Sequence, residues 1–246
     1  MKIGILETGE VAAELVGRHG DYPAMFERLL SAADPSLAFV TVRVVAGEMP
    51  ASPGEADAWL VTGSRHGVYD DLPWIAPLKA FLRDCVAARV PVVGICFGHQ
   101  ILAEALGGAV AKSDRGWGLG VQDYEVVRRP GWMVHVPDRF AISALHQDQV
   151  VALPPDATVL ARSPHCEIAA VAYGDPEAPS AVSLQPHPEF GPAFMDELIA
   201  LRAGTAFPSD EAEAARASLG RSVDSPAWAR LIVDYLHRAA AARAAA

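Results

Sequence analysis

Val90-Pro91-Val92-Val93-Gly94-Ile95-Cys96-Phe97-Gly98-His99-Gln100 constrains the chain more than any other stretch. Val90, Val92, Val93 and Ile95 form a short β-branched apolar run, the pattern of a strand covered on both faces of a parallel sheet. From Gln100 to Leu106 the composition switches to helix formers, and Gly107-Gly108 closes the segment as a C-terminal cap. Gly94-x-Cys96-x-Gly98 lies at the junction. A nucleophile on a sharp strand-to-helix turn needs small neighbours, because the backbone is crowded and the side chain must stand clear of the sheet. Unpaired N–H groups and the macrodipole of the following helix favour a thiolate at that point.

The residues before this stretch alternate between strand and helix patterns. Lys2 to Leu6 reads as a short buried strand, with Glu7 to Glu10 as the loop leaving its carboxyl end. Tyr22, Met25, Phe26, Leu29 and Leu30 recur at helical spacing, Ala38 to Val45 reads as a second strand, and Gly47 to Glu55 as a surface connection. Ala58 to Thr62 is the third strand, and Gly63-Ser64-Arg65-His66-Gly67 follows at its carboxyl end. Trp74 to Ala88 is a core-facing helix in which Cys85 is a packing residue. This alternation predicts an α/β fold with a parallel, doubly wound sheet that binds ligands beyond the carboxyl ends of its strands.

After Gly108 the character changes. Ala109 to Lys112, Val121 to Val127, Arg139 to Ile142, Thr158 to Ala161, Ile168 to Tyr173 and Ala181 to Gln185 are short strand candidates between Gly, Pro and Asp signals. They add antiparallel or mixed strands to the parallel core. Pro192 to Arg202 reads as a helix, the stretch around Asp210 to Ala217 as either a further helix or a mobile insertion, and Pro226 to Arg243 as a terminal helix. The expected organisation is one domain over residues 1–246, with a helical C-terminal extension from about residue 192 and neither repeat nor linker.

A cysteine nucleophile needs a base within hydrogen-bond reach, and the base needs an orienting acceptor. Ser183-Leu184-Gln185-Pro186-His187-Pro188-Glu189 supplies both: residues two apart on an extended chain point the same way, so His187 and Glu189 can converge at a strand end. The order Cys96, His187, Glu189 differs from that of an α/β-hydrolase, whose acid lies between nucleophile and histidine. His99 reads as structural, Arg65 and His66 as a solvated loop, Asp70-Asp71 as a turn. Cys166 and His165, being adjacent, point apart on a strand. No cluster demands a metal, and no cofactor is expected.

A formal net charge of -10 disfavours nucleic acid and anionic membrane surfaces as partners. The amino terminus lacks the apolar core of a signal peptide, and no stretch reaches the roughly 18 apolar residues of a membrane span. With three unpatterned cysteines, the expectation is a soluble protein of the reducing cytoplasm.

The Gly-Ile-Cys-Phe-Gly-His-Gln strand, followed by Gln-Pro-His-Pro-Glu, resembles the class I, or triad, glutamine amidotransferases. The resemblance extends to Leu60-Val61-Thr62-Gly63-Ser64, Gly116-Trp117-Gly118 and Leu145-His146-Gln147-Asp148-Gln149-Val150. It implies the flavodoxin-like fold of that family, with Cys96 as nucleophile toward a γ-glutamyl amide, His187 as base and then acid, and Glu189 orienting the imidazole. It further implies an oxyanion hole from the N–H groups of Gly63 and Phe97, and a substrate site at Gln100, Trp117, Gly118, His146, Gln147 and Asp148. Thr62-Gly63-Ser64 stands where many members have two glycines and a proline. The loop onward from Gly63 is most similar to the stand-alone branch resembling the glutaminase part of GMP synthase and the γ-glutamyl peptidases. About 57 residues follow Glu189, too few for a synthetase domain. The resemblance therefore implies a hydrolase of glutamine or a γ-glutamyl peptide, or an ammonia-supplying glutaminase subunit of a separate synthase. A reading of another class is a non-catalytic binding or regulatory protein on the same scaffold.

Overall fold

The computed structural model describes residues 1–245. The chain opens with β1 (Lys2–Leu6), then α1 (Ala13–His19) and α2 (Tyr22–Ala33), whose first turn is capped by the Asp21 carboxylate accepting from Ala24 N–H at 2.8 Å. β2 (Ala38–Val42), β3 (Ala58–Val61), α3 (Ile75–Ala87), β4 (Val92–Ile95) and α4 (Phe97–Ala105) complete the first half. The second half runs β5 (Ala109–Lys112), β6 (Gly118–Val126), β7 (Arg139–His146), β8 (Asp148–Ala152), β9 (Ala157–Arg162), β10 (Ala170–Tyr173) and β11 (Ala181–Leu184). It closes with α5 (Pro192–Arg202), α6 (Ser209–Ser218) and α7 (Ser225–Ala244).

Nine strands form one sheet in the order β2-β1-β3-β4-β11-β10-β9-β6-β7, and β5 pairs with β8 in a separate antiparallel ribbon. Pairing from β2 through β11 is parallel, and from β11 to β7 it is antiparallel. The inner parallel strands β3, β4 and β11 are buried on both faces, which is why they are short runs rich in apolar residues, whereas the edge strand β2 is largely exposed. Alternate residues still serve opposite layers. Ile3, Ile5, Leu60, Val93 and Ile95 pack with Phe26, Leu30, Leu231 and Ile232 of α2 and α7. Leu6, Trp59, Val61 and Val92 pack with Leu78, Leu82, Ile101 and Leu102 of α3 and α4. A third cluster joins α1, α5 and α6 to Leu119 and Val121 of β6.

The expected doubly wound core, its antiparallel additions and the C-terminal helices are all present, with differences that have local causes. α1 has no helical apolar period to announce it, since Leu15 is its single buried residue. β2 ends at Val42, and Val44–Ala46 forms a 3-10 turn. β8 lies in a stretch that reads as a motif rather than as a strand. The residues around Asp210 form a helix because Ala212 and Ala215 are buried, Arg216 pairs with Asp196, and Ser218 accepts from Val121 N–H at 2.8 Å.

Two glycines set how closely α4 approaches the sheet. A Cβ on Gly94 would run into the Gly98 carbonyl, and one on Gly98 into the carbonyl oxygen of Val61. Gly98→Ala must therefore separate α4 from β3. The expected cost is about 3 kcal/mol, seen as a lower urea midpoint with an unchanged slope; a midpoint equal to wild type would contradict this packing.

Candidate active site

β4 ends at Ile95 and α4 begins at Phe97, so Cys96 occupies the single residue between them. Its backbone is left-handed, at φ 54 and ψ -102. A non-glycine residue there is strained by roughly 1–3 kcal/mol and persists only where the surroundings enforce it. The enforcement is visible: Cys96 N–H donates to Leu184 O of β11 at 2.9 Å, and Gln100 N–H donates to the Cys96 carbonyl at 3.0 Å. The thiol is 6% exposed and reaches the Leu145 carbonyl at 4.0 Å.

β11 lies beside β4 in parallel register, Leu184 opposite Ile95, and so delivers its carboxyl end to the same place. His187 and Glu189 lie beyond the strand. His187 forms an isolated bridge with Ser143 of β7, donating its N–H to the Ser143 carbonyl at 2.8 Å, and a turn then brings Glu189 back to the imidazole. The two side chains meet at Nδ1–Oε1 2.6 Å, both essentially inaccessible to solvent. They converge through a turn rather than along an extended run. Burial opposes a charged imidazole, but Coulomb attraction to Glu189 and Cys96 and the hydrogen bond to Glu189 outweigh it, so His187 is held well above the ordinary histidine range. With Nδ1 committed to Glu189, Nε2 has no hydrogen bond among the described residues.

Gly63 closes the third side. A Cβ there would lie 2.9 Å from His187 Cε1 and 3.8 Å from Cys96 Cβ, so only a glycine fits between them. Its loop is pinned by Thr8, two residues beyond β1, whose N–H donates to Thr62 Oγ1 at 3.0 Å and whose hydroxyl donates to the Thr62 carbonyl at 2.9 Å. The Phe97 N–H is at the first position of α4, where helical N–H groups lack intrahelical partners.

The remaining expected residues lie on α4, at the start of β6 and at the β7–β8 junction. Gln100 is buried, and its Nε2 donates to the Asp148 carbonyl at 2.8 Å and to Gln185 Oε1 at 3.2 Å. His146 Nδ1 donates to the same Asp148 carbonyl at 3.3 Å. Burial first, then the neighbouring His165, lowers His146 to about 3, so it is neutral. Gly118 faces it across the β6–β7 pair, and a Cβ there would touch His146 Nε2 at 3.0 Å. The Asp148 carboxylate accepts from Tyr69 OH at 2.8 Å, tying the loop after β3 to the start of β8, while the Gln147 carbonyl accepts from Ser113 N–H. Trp117 stacks edge-on against Phe207 at 4.8 Å and anchors the approach to α6.

Three contributors are not apparent from sequence. Phe190 stacks on the His187 ring, centroids 4.0 Å apart and planes within 7°, and Tyr22 packs on Phe190 in turn. Ser143 bridges to His187 from a distant strand. The signal for Phe190 is its place directly after Pro-Glu; Tyr22 and Ser143 have none. His99 is buried with Nδ1 2.7 Å from Ser183 Oγ, a structural role as expected. Among the described residues, no group of three or more His, Cys, Asp or Glu is placed to hold a metal ion, and no helix is long and apolar enough to cross a membrane.

Residues 53–201 match the family described as "Glutamine amidotransferase class-I". The chain belongs to the class I glutamine amidotransferase family. Among its relatives, gamma-glutamyl peptidase 4 of Arabidopsis thaliana is 28% identical over 229 residues, 89% of each chain. Gamma-glutamyl peptidase 5 of the same plant is 32% identical over 164 residues, and the match spans only 64% of that protein's length. A glutamine-hydrolyzing GMP synthase subunit of Methanothrix thermoacetophila is 33% identical over 150 residues, 61% of this chain and 76% of that one. A crystal structure of a glutamine amido transferase from Methylobacillus flagellatus superposes with a TM-score of 0.75 at 22% identity, covering 97% of this chain and 94% of the other. The class I amidotransferase fold expected from the sequence is thus the fold present, a mostly parallel sheet flanked by helices with some antiparallel strands.

The three thiols of this family member differ in setting. Burial pushes Cys85 and Cys166 up to about 12, while Cys96 lies between a histidine and a helix N-terminus. Iodoacetamide at neutral pH is expected to modify Cys96 first and to leave the other two intact until the protein unfolds. Equal labelling of all three in the folded protein would contradict the site geometry.

Proposed function

We propose that the chain hydrolyses the γ-glutamyl amide of glutamine or of a γ-glutamyl peptide through a thioester on Cys96. The observation that carries this reading is the meeting of Cys96, the His187–Glu189 pair and the Gly63 and Phe97 backbone at adjoining strand ends. The thiol proton passes to His187 Nε2, whose raised pKa retains it, and the sulfur attacks the amide carbonyl carbon, forming the C–S bond. Charge collects on the carbonyl oxygen, and the N–H groups of Gly63 and Phe97 are the donors assigned to it, each such donor being worth about 3 kcal/mol in the transition state. His187 then gives the proton to the departing nitrogen as the C–N bond breaks, releasing ammonia or an amino-terminal peptide amine. Water attacks the thioester with His187 as base, the C–S bond breaks, and glutamate leaves with the thiol restored. Glu189 keeps Nε2 directed at sulfur by holding Nδ1.

The α-amino acid end of the substrate is assigned to Gln100, His146, Gln147 and Asp148 on one side, Trp117 and Gly118 on the other. Gln100 Nε2 is already engaged by protein, so its contribution to substrate is through Oε1 or through the backbone it positions. One continuous nine-stranded sheet supports reading residues 1–246 as a single catalytic unit. Similarity to the glutamine-hydrolyzing part of a GMP synthase favours a second reading, in which ammonia passes to a separate synthase. We place the activity in the cytoplasm, since the mechanism depends on a reduced thiol.

The test is glutamate release from glutamine and from a panel of γ-glutamyl peptides, with trapping of the acyl-enzyme for mass spectrometry. Cys96→Ala is expected to abolish turnover, and wild type to carry one γ-glutamyl group on Cys96. Unchanged turnover in the variant would overturn the proposal, and failure of Cys96 to be labelled by a glutamine-analogue electrophile in a wild type without turnover would favour a non-catalytic role for the scaffold. Turnover of glutamine only on addition of a synthase would select the second reading.

Glu189→Gln tests the base. Removing the carboxylate that raises His187 is expected to shift the alkaline limb of the kcat/KM profile to lower pH and to cut kcat on the order of a thousandfold. A variant with the wild-type profile would show that Glu189 does not act on the imidazole. The sign for stability is the same: a raised histidine stabilises below its unfolded pKa and loses that contribution as pH rises through the folded value, so Glu189→Gln flattens this alkaline loss.

A further inference from the structure

At the opposite end of the sheet from Cys96, a cavity of ≈ 360 Å³ opens between α7, the turn after α3 and the β10–β11 connection. This is the size class of a small-molecule site. Three arginines line it: Arg89, Arg238 and Arg243. All three are exposed, and none makes a salt bridge or donates a side-chain hydrogen bond among the described residues. In a chain of net charge -10, uncompensated cations gathered in one cavity are unusual. The one carboxylate on the lining, Glu177, is already committed, accepting from Gly131 N–H at 2.7 Å and lying 3.9 Å from Arg128.

The carboxyl ends of α3 and α7 each bring about half a negative charge to this place, which does not balance three guanidiniums. The larger cleft beside β6 and β9 makes the contrast clear: it also holds three arginines, but Arg162 is paired with Glu125 and Arg115 with Glu167. Apart from Glu177 and Ser180, whose hydroxyl donates to the Tyr173 carbonyl, the rest of the smaller cavity is apolar or aromatic. Trp132 and Tyr235 lie with ring centroids 5.7 Å apart, and Trp132 Nε1 is spent on the Pro176 carbonyl, so the indole offers the cavity only hydrocarbon. Pro91, Ala178, Pro179, Ala239 and Ala242 complete that surface.

We infer that this cavity is a binding site for a small organic anion, a flat apolar body carrying a phosphate or carboxylate, with Arg89, Arg238 and Arg243 holding the anionic group. Guanidinium forks suit both oxyanions, and the apolar floor separates such a ligand from a bare inorganic ion. The site is distinct from the thiol. Pro91 and Ser180 precede β4 and β11, the strands whose far ends lead to Cys96 and His187, and the five-residue run from Pro91 to Cys96 spans ~16 Å.

The experiment uses the full chain and calorimetric titration with naphthyl phosphate, naphthoate, naphthol and inorganic phosphate. At least one of the two aromatic anions is expected to bind, more tightly than either naphthol or inorganic phosphate. Affinity should fall about tenfold or more in Arg238→Ala and in Arg89→Ala, the loss expected for a charge-assisted hydrogen bond, and stay unchanged in Arg162→Ala of the other cleft. Tighter binding of the phosphate or of the carboxylate identifies the headgroup. Absence of binding by both aromatic anions overturns the inference, as does affinity that is the same in the Arg238 and Arg89 variants as in wild type. Loss of binding after alkylation of Cys96 would place the anion at the thiol and overturn it equally.

Discussion

The structure depends on one backbone constraint, the left-handed turn at Cys96. A strand and a helix separated by a single residue force that residue out of both the β and the α regions. The turn closes only if nothing fills the space around it. Gly94 and Gly98 provide that space, since a methyl on either would strike the helix start or the adjoining strand. In return, the junction places a side chain at the top of the sheet with the first N–H groups of α4 behind it. Position and electrostatics therefore come from the same few atoms, and neither is adjustable without the other.

The His187–Glu189 pair is built on an opposite principle. Cys96 stands on rigid, regular elements, whereas His187 and Glu189 lie in a turn past the end of β11 and have to be held by contacts. They are held by a bridge to Ser143, by the Phe190 ring lying flat on the imidazole, and by each other. Removing two ionisable groups from water carries a penalty that only a close, hydrogen-bonded pair recovers. Phe190 makes the recovery greater by excluding water from one face of the ring, and it is itself wedged by Tyr22 and Phe194.

How legible this was varied with the physical range of the interaction concerned. The turn at Cys96, the parallel strands and the packing helices are set by short-range patterns: β-branched runs, glycine spacing and apolar residues at helical intervals. These read directly from the chain, whereas the His187–Glu189 pairing read only in outcome, since the extended geometry expected for it is a turn in the structure. What did not read was what depends on tertiary register. Ser143 meets His187 because the middle of β7 comes alongside β11's extension, and Tyr22 reaches Phe190 from a helix near the amino terminus. α1 was invisible because a helix with one buried residue leaves no period, and the strand character of β8 was hidden within a stretch whose polar residues attract attention for chemistry. Gln100 illustrates a subtler gap. Its position in the motif is plain, yet only the structure shows its amide donating to the backbone of the neighbouring segment.

The placement of β11 between β4 and the antiparallel strands bears on biosynthesis. The strands made first, β1 to β4, can assemble into a parallel sheet as soon as they emerge, but the outer edge of β4 then has no neighbour until Ala181 and its successors have been translated. For that interval Val92-Val93-Gly94-Ile95 is an open, apolar, uncharged edge, the kind that pairs indiscriminately with another chain. The nascent protein is thus most prone to aggregation with Cys96 already made and His187 still to come, and one late strand resolves both conditions by sealing the edge and carrying the histidine into place.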